Sequence, residues 1–232
     1  MKSVVVGSGG REHALAHVLG RDSDVTVTPG NPGIPNSTTQ SPLNIDADLF
    51  VIGPEAPLVD GLADQLRAQG KTVFGPGVDG AQLEGSKAWM KDLLVEANVP
   101  TAKHGTFTNE DEAIAFLSDM PLPYVIKTDG LAAGKGVLVT ESVNEAKDAI
   151  KNYLSGDAFG DAGKTVVIEE GLIGNEISIL AICDGTKAVP LAPAQDYKRL
   201  LNDDEGPNTG GMGAYSPLSL IHISEPTRHC TI

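Results

Sequence analysis

The chain has 232 residues, room for one large or two small domains, and 41% of them are hydrophobic, enough for a core. Its formal net charge is −14, from 17 basic and 31 acidic residues, which argues against a general nucleic-acid or anionic-membrane surface. Any anionic ligand must then be met by a local group of cations and backbone N–H donors.

From the amino terminus, KSVVVG reads as a buried strand, GSGG as a turn, and REHALAHVLG as a helix with Ala14, Leu15, Val18 and Leu19 apolar. DVTVT and ADLFVIG are further strands. The connection between them, PGNPGIPNSTTQSPLNID, has no helical period, which is unusual for a parallel crossover. LVDGLADQLRAQG is a helix and TVFG a fourth strand, so a parallel sheet with helices on its faces is expected. Residues 81–98 read as one amphipathic helix ended by Pro100, and NEDEAIAFLSDM as another with acids in its first turn. After Pro121 and Pro123 the pattern changes. YVIKT and VLVT are strands around the loop DGLAAGKG, and VNEAKDAIKNYLSG is a helix. TVVIEEGL and EISILAICDG read as strands joined by a tight Gly174-Asn175 turn, and KAVPLAPAQ as one further strand. The expectation is an α/β chain: a Rossmann-like first domain, then an α+β unit of largely antiparallel strands.

The amino terminus is too short and glycine-rich for a signal peptide, and no apolar run is long enough to cross a bilayer, so a soluble cytoplasmic protein is expected. Cys183 and Cys230 form no C-x-x-C, so neither a disulfide framework nor a zinc site is indicated.

Three glycine-rich stretches carry candidate chemistry. Gly7-Ser8-Gly9-Gly10 follows a strand and opens a helix, where backbone N–H groups favour an anion. The dinucleotide pattern G-x-G-x-x-G fails because Glu12 stands at its third glycine, and a tight turn for close helix–strand packing explains the glycines as well. Residues 127–136, KTDGLAAGKG, fail the Walker pattern: Gly130 is one residue too close, Gly136 replaces the metal-binding hydroxyl, and a strand follows. Its small residues and the two cations Lys127 and Lys135 still suit a phosphate, against the plainer reading of a flexible hairpin. Residues 206–213, GPNTGGMG, read as a second loop and a backbone cradle for a small polar substrate or phosphate. Glu55 lies beyond the carboxyl end of the third strand, where α/β sheets bind ligands, or is a solvated turn residue. Glu169-Glu170-Gly171-Leu172 ends a strand and offers a hinge to an adenine edge, with Glu176 near enough for ribose hydroxyls; two acids at a strand end are also commonly just solvated. His13 and His17 are i, i+4 on one helix but lack the zinc-protease order, and no hydrolytic Ser/His/Asp or Cys/His set is present.

Taken together, GSGGREHA, PGNPG, GPEAPLVDGL, FGPGVDGAQLEGSKAWMK, VIKTDGLAAGKGV, AFGDAG, VIEEGLIGNEIS, QDYKR and GPNTGGMGAYSP resemble, in order, the phosphoribosylamine–glycine ligase (glycinamide ribonucleotide synthetase) family of ATP-grasp enzymes. The resemblance implies ATP-dependent ligation of glycine to 5-phosphoribosylamine through glycyl phosphate. It implies ATP and Mg²⁺ as cofactors, small molecules rather than nucleic acid or membranes as partners, and a monomer. It assigns Lys87 and Lys127 to the phosphates and the loop with Gly130, Gly134, Lys135 and Gly136 to a lid. It assigns Glu169, Glu170 and Leu172 to the adenine hinge and Glu176 to the ribose. Gly7, Gly9, Gly10 and Glu55, with Asn208, Thr209, Gly210, Gly211 and Gly213, fall on the phosphoribosylamine and glycine side.

The resemblance also implies an arrangement: a pre-ATP-grasp domain over 1–98, a connecting helical segment over 99–120, an ATP-grasp lid subdomain over 121–189, and the start of a second ATP-grasp half over 190–217. The family continues beyond this point into an E-F-N-x-R-F-G-D-P-E-T-Q type motif that holds Mg²⁺, absent from this sequence. The expectation is therefore an amino-terminal fragment, either of a catalytic ligase or acting by itself as a nucleotide-binding module without turnover. Residues 218–232 read as a non-native tail or as a divergent terminus. The short connection over 29–46 is a second departure, since it lacks the usual helix.

Overall fold

The computed structural model describes residues 1–130, 136–156 and 158–218. By compactness the chain divides after Glu170 into two units, Met1–Glu170 and a second from Gly171 onward.

The first unit opens with a parallel sheet. β1 (Lys2–Gly7) leads into α1 (Gly10–Leu19), and β2 (Asp24–Pro29) and β3 (Leu49–Ile52) follow. Next come α2 (Glu55–Val59), α3 (Leu62–Ala68) and β4 (Val73–Phe74). The strand order is β2-β1-β3-β4, all parallel, so the order reverses between β1 and β3. The near-continuous apolar run of β1 fits a strand covered on both faces. Val4 and Val6 pack with Phe50, Ile52, Leu58 and Leu66 on one face; Val5 packs with Val25, Val27, Ile34 and Val51 on the other. The helix expected over 58–70 is two helices, because Gly61 takes a left-handed backbone (φ +82°) at the junction. The connection from β2 to β3 contains a single 3₁₀ turn, Pro42–Asn44. Leu43, Ile45 and Ala47 from it cover the Val4–Phe50 face, where a crossover helix would otherwise lie.

The predicted single helix over 81–98 is also divided, into α4 (Val78–Gly85) and α5 (Lys87–Glu96). Ser86 is extended between them (φ −139°, ψ 115°), and its hydroxyl accepts the Trp89 N–H, capping α5. β5 (His104–Phe107), not anticipated from its composition, and α6 (Glu110–Phe116) follow. β6 (Tyr124–Thr128), β7 (Val137–Thr140), α7 (Val143–Leu154) and β8 (Val166–Glu170) complete the unit. Their antiparallel sheet has the order β5-β8-β6-β7. α7 buries Ala146, Ile150 and Tyr153, a stripe at i, i+4, i+7, against Ile126, Val166 and Ile168.

The second unit holds β9 (Ala181–Cys183) paired with β10 (Ala188–Pro190), and β11 (Gln195–Leu201) paired with β12 (Glu205–Tyr215). Three expectations fail here. The hairpin expected across Gly174-Asn175 does not form: β5 and β6 occupy both edges of β8, and Ser178 bridges Ala194 instead. KAVPLAPAQ is not one strand, since β10 stops at Pro190 and Gln195 opens β11. The second glycine loop is part of β12, its backbone paired with β11. Gly206 (φ +81°) and Gly211 (φ +125°) sit in left-handed backbone, and the ladder between β11 and β12 shifts register twice, as glycine-marked bulges do.

Ile168, fully buried in the central strand β8, is expected to lose about 2–5 kcal/mol of stability on substitution by Ala, measured by denaturant unfolding. Val139→Ala, at a 46% exposed position of β7, is expected to cost less than about 0.5 kcal/mol.

Candidate functional site

Two clusters of candidate residues lie in the first unit. The first is built where α5 meets the β6–β7 loop. Asp129, just past β6, accepts the Ala88 N–H (2.8 Å) and the Ser86 hydroxyl (3.1 Å) at the amino terminus of α5. A carboxylate there satisfies orphan helix donors and complements the helix dipole. With α5 so anchored, the Lys87 ammonium donates to the main-chain carbonyls of Asp129 (3.1 Å) and Gly130 (3.0 Å). The Thr128 N–H donates to the Gly136 carbonyl (2.9 Å), closing the base of the loop. Gly134 and Lys135 lie outside the described residues.

One helical turn on, Lys91 is 4% exposed. Its ammonium lies 3.2 Å from Glu169 Oε2 and donates to Thr101 Oγ1 (2.7 Å). Lys127, from β6, reaches the other oxygen, Oε1, at 2.9 Å, as an ion pair without the angle of a hydrogen bond. Glu169 is 5% exposed, so a buried carboxylate stands between two ammonium groups. The structure therefore brings together Lys87, Lys127, Glu169, Gly130 and Gly136. It adds Lys91, Thr101 and Asp129, which sequence reasoning missed. The spacing of Lys87 and Lys91 (i, i+4) puts both on one helix face, but their burial has no sequence signature.

Burial holds the Lys87 ammonium below its ordinary value of 10.5, and the nearby Lys127 charge adds to this, while the Asp129, Glu84 and Glu169 carboxylates oppose it. Glu170 is placed differently from Glu169: its carboxylate accepts the Lys103 N–H (2.8 Å) at the end of β8.

The second cluster lies at the carboxyl ends of β1 and β3, where the strand order reverses. Glu12, at the failed third glycine, is 4% exposed and folds back to accept the Gly9 N–H at 2.7 Å. A Cβ on Gly7 would stand 2.4 Å from Glu12 Cγ, and one on Gly53 only 2.2 Å from Glu12 Oε1. The two glycines thus make room for a carboxylate, not for a dinucleotide. Arg11 ties the crevice to the next turn, with its Nε 3.3 Å from Glu12 and a terminal nitrogen 3.5 Å from Glu55. Gly7, Gly9, Gly10 and Glu55 are brought to one end of the sheet, but the Gly9 N–H is already taken by Glu12.

In the second unit, Leu172 is 74% exposed. Glu176 is hydrogen-bonded to Lys198, which holds that ammonium above its ordinary value. Thr209 donates its hydroxyl to the Lys198 carbonyl (2.9 Å) and accepts the Gly211 N–H (3.0 Å); Asn208, Gly210 and Gly213 lie on the same strand.

Protonated Lys87 is the form that attracts an anion, so a bound anion raises its depressed pKa and takes up a proton. With inorganic triphosphate as probe, affinity is expected to fall as pH rises through the lowered Lys87 pKa, below the ordinary lysine range. Lys87→Arg is expected to remove that fall. Calorimetry in buffers of different ionisation heat checks this, and binding without proton uptake would contradict it.

Two family models match the chain. The phosphoribosylglycinamide synthetase N domain covers residues 1–84, and the ATP-grasp (A) domain of the same synthetase covers residues 85–229. The chain is 50% identical to a phosphoribosylamine–glycine ligase of Xylella fastidiosa (strain 9a5c), over 95% of this chain and 55% of that protein. It is 46% identical to the ligase of that name from Escherichia coli (strain K12), over 95% of this chain and 56% of that protein. It thus spans about half the length of the curated relatives it matches. A crystal structure of phosphoribosylamine–glycine ligase from Thermotoga maritima is similar with a TM-score of 0.82 and 34% identity, over 95% of this chain and 56% of that one. D-alanyl-alanine synthetase A from Vibrio cholerae shares the fold at a TM-score of 0.63 and 15% identity, over 84% of this chain and 66% of that one. On these matches the chain belongs to the phosphoribosylglycinamide synthetase family, with the α/β fold of the ATP-grasp enzymes.

Proposed function

We propose that the chain binds ATP through the lysine cluster at the base of the β6–β7 loop, as part of an enzyme that ligates glycine to 5-phosphoribosylamine. The observation that carries this reading is the convergence of Lys87 and Lys127, with Lys91 behind them, on one loop base in a chain of net charge −14. Such a chain repels a polyphosphate elsewhere, so a local excess of cations marks where it binds. Glycyl transfer fits the membership in this family. The glycine carboxylate attacks the γ-phosphorus of ATP, releasing ADP and leaving glycyl phosphate. The amine of phosphoribosylamine then attacks the glycyl carbonyl and phosphate departs, giving glycinamide ribonucleotide. Ammonium groups fixed on a helix and a strand neutralise charge on the transferring phosphoryl group without reorganising.

Lys87 and Lys127 would hold the phosphates, with Gly130, Gly134, Lys135 and Gly136 as the covering loop. Glu170 and Leu172 fit an adenine edge, and Glu176 the ribose. For Glu169 we favour a role through its lysine partners over direct contact with adenine, because its carboxylate is buried between them. Gly7, Gly9, Gly10, Glu55 and the 208–213 run are proposed for the phosphoribosylamine and glycine side. Mg²⁺ does not fit this lysine cluster. Asp129 already holds a hydroxyl and an N–H donor, and Glu169 holds two ammonium groups. No ligand for the metal is therefore assigned to it.

ATP binding to this chain, followed by calorimetry, is expected to weaken at least about tenfold in Lys127→Met, the loss of one charge-assisted phosphate contact. Unchanged affinity would refute the phosphate assignment. Release of ADP dependent on both glycine and phosphoribosylamine checks the ligation itself.

A further inference from the structure

The buried lysine on α5 has no place in the reading above except as a neighbour, yet its position is specific. Lys91, Glu169 and Lys127 form a line of three charges, +, −, +, with net charge +1. Their side chains are 5%, 7% and 25% exposed, so only the Lys127 end opens to solvent. Remove Lys91, and the Glu169 carboxylate would be balanced by Lys127 alone. The remaining pair would be neutral, and the exposed ammonium would offer little net field to an anion. With Lys91 in place, half of the carboxylate's charge is met from behind. The contact at Lys127 is close but poorly aligned for a hydrogen bond, so Glu169 lowers the net charge of this ammonium without tying it down by a directed bond. Burial strengthens these couplings relative to water.

We propose that Lys91 is a positioning residue for the phosphate-binding cation: by sharing Glu169 from the buried side, it leaves Lys127 net positive toward a polyphosphate chain. The inference rests on the phosphate reading of Lys127. Lys91 touches no ligand in this account; it acts through Glu169.

The test measures binding of inorganic triphosphate to this chain by calorimetry over a range of salt concentrations, which avoids any contribution from adenine. Lys91→Met, which keeps the length but not the charge, is expected to bind about tenfold more weakly, with a shallower salt dependence. Removing one partner of a buried ion pair can unfold a protein, so the double variant Lys91→Met/Glu169→Gln is made alongside. It removes both buried charges and leaves Lys127 alone with its +1. Its affinity is expected to return to within about threefold of the unmodified chain. A purely structural role for Lys91 would not be repaired by deleting Glu169's charge. A double variant that folds, by circular dichroism, but binds about tenfold or more weakly than the unmodified chain overturns the proposal, as does a folded Lys91→Met with unchanged affinity. Lys127→Met separates the two levels. If it binds triphosphate normally, the phosphate reading itself fails. If it weakens binding while Lys91→Met does not, only the role of Lys91 falls.

Discussion

A carboxylate inside a β-sheet must be matched by positive charge, and Glu169 imposes that requirement on the first unit. It lies on β8, one of the two inner strands of the antiparallel sheet, and is 5% exposed. Leaving such a group unpaired would cost several kcal/mol, so the surrounding elements are bound to supply cations. Lys127 comes from the adjacent strand β6, as its next-to-last residue. Lys91 comes from α5, whose start is fixed by Ser86 and Asp129. The break between α4 and α5 is thus part of the site: it sets the rotation of α5 that turns Lys87 and Lys91 inward together. The break, at Ser86, lies within two residues of the junction of the two family models, between residues 84 and 85.

Much of the fold is legible in the sequence because the relevant signals are local. β1 and β3 are short apolar runs, β2 alternates Val with Thr, and α7 carries its stripe at helical spacing. The failures come from partners that no local pattern names. Ser86 sits within an amphipathic run and ends a helix only because Asp129, 43 residues away, receives its hydroxyl and the Ala88 N–H. GPNTGGMG looks like a loop by composition, and becomes a strand because β11 supplies a ladder. The hairpin expected after β8 is excluded by strands already occupying both its edges.

The candidate site divides in the same way. Lys127 and its glycines are visible because a cation beside small residues is rare in an acidic chain. Lys91 is not visible, since a lysine in a helix ordinarily reads as solvated surface. Its neighbour Thr101, which takes the second contact of its ammonium, is equally silent. Buried cations are set by tertiary pairing, and pairing across β8 cannot be read from the spacing within α5.

Glu12 shows how a failed motif can report a built feature. In a dinucleotide site the third glycine keeps the helix close to the strand, and the crevice stays open for pyrophosphate. Here a side chain enters the same crevice, and Gly7 and Gly53 are bare because Glu12 fills the space their Cβ atoms would need. The carboxylate takes the Gly9 N–H that an anion would otherwise use, and places negative charge at the strand-order reversal. That arrangement disfavours a pyrophosphate at this crevice, whereas Lys127 offers positive charge at the mouth of the other sheet. The first unit of this acidic chain therefore carries opposite charges at the ends of its two sheets. The parallel sheet presents carboxylates partnered by Arg11, and the antiparallel sheet presents lysines backed by one shared acid.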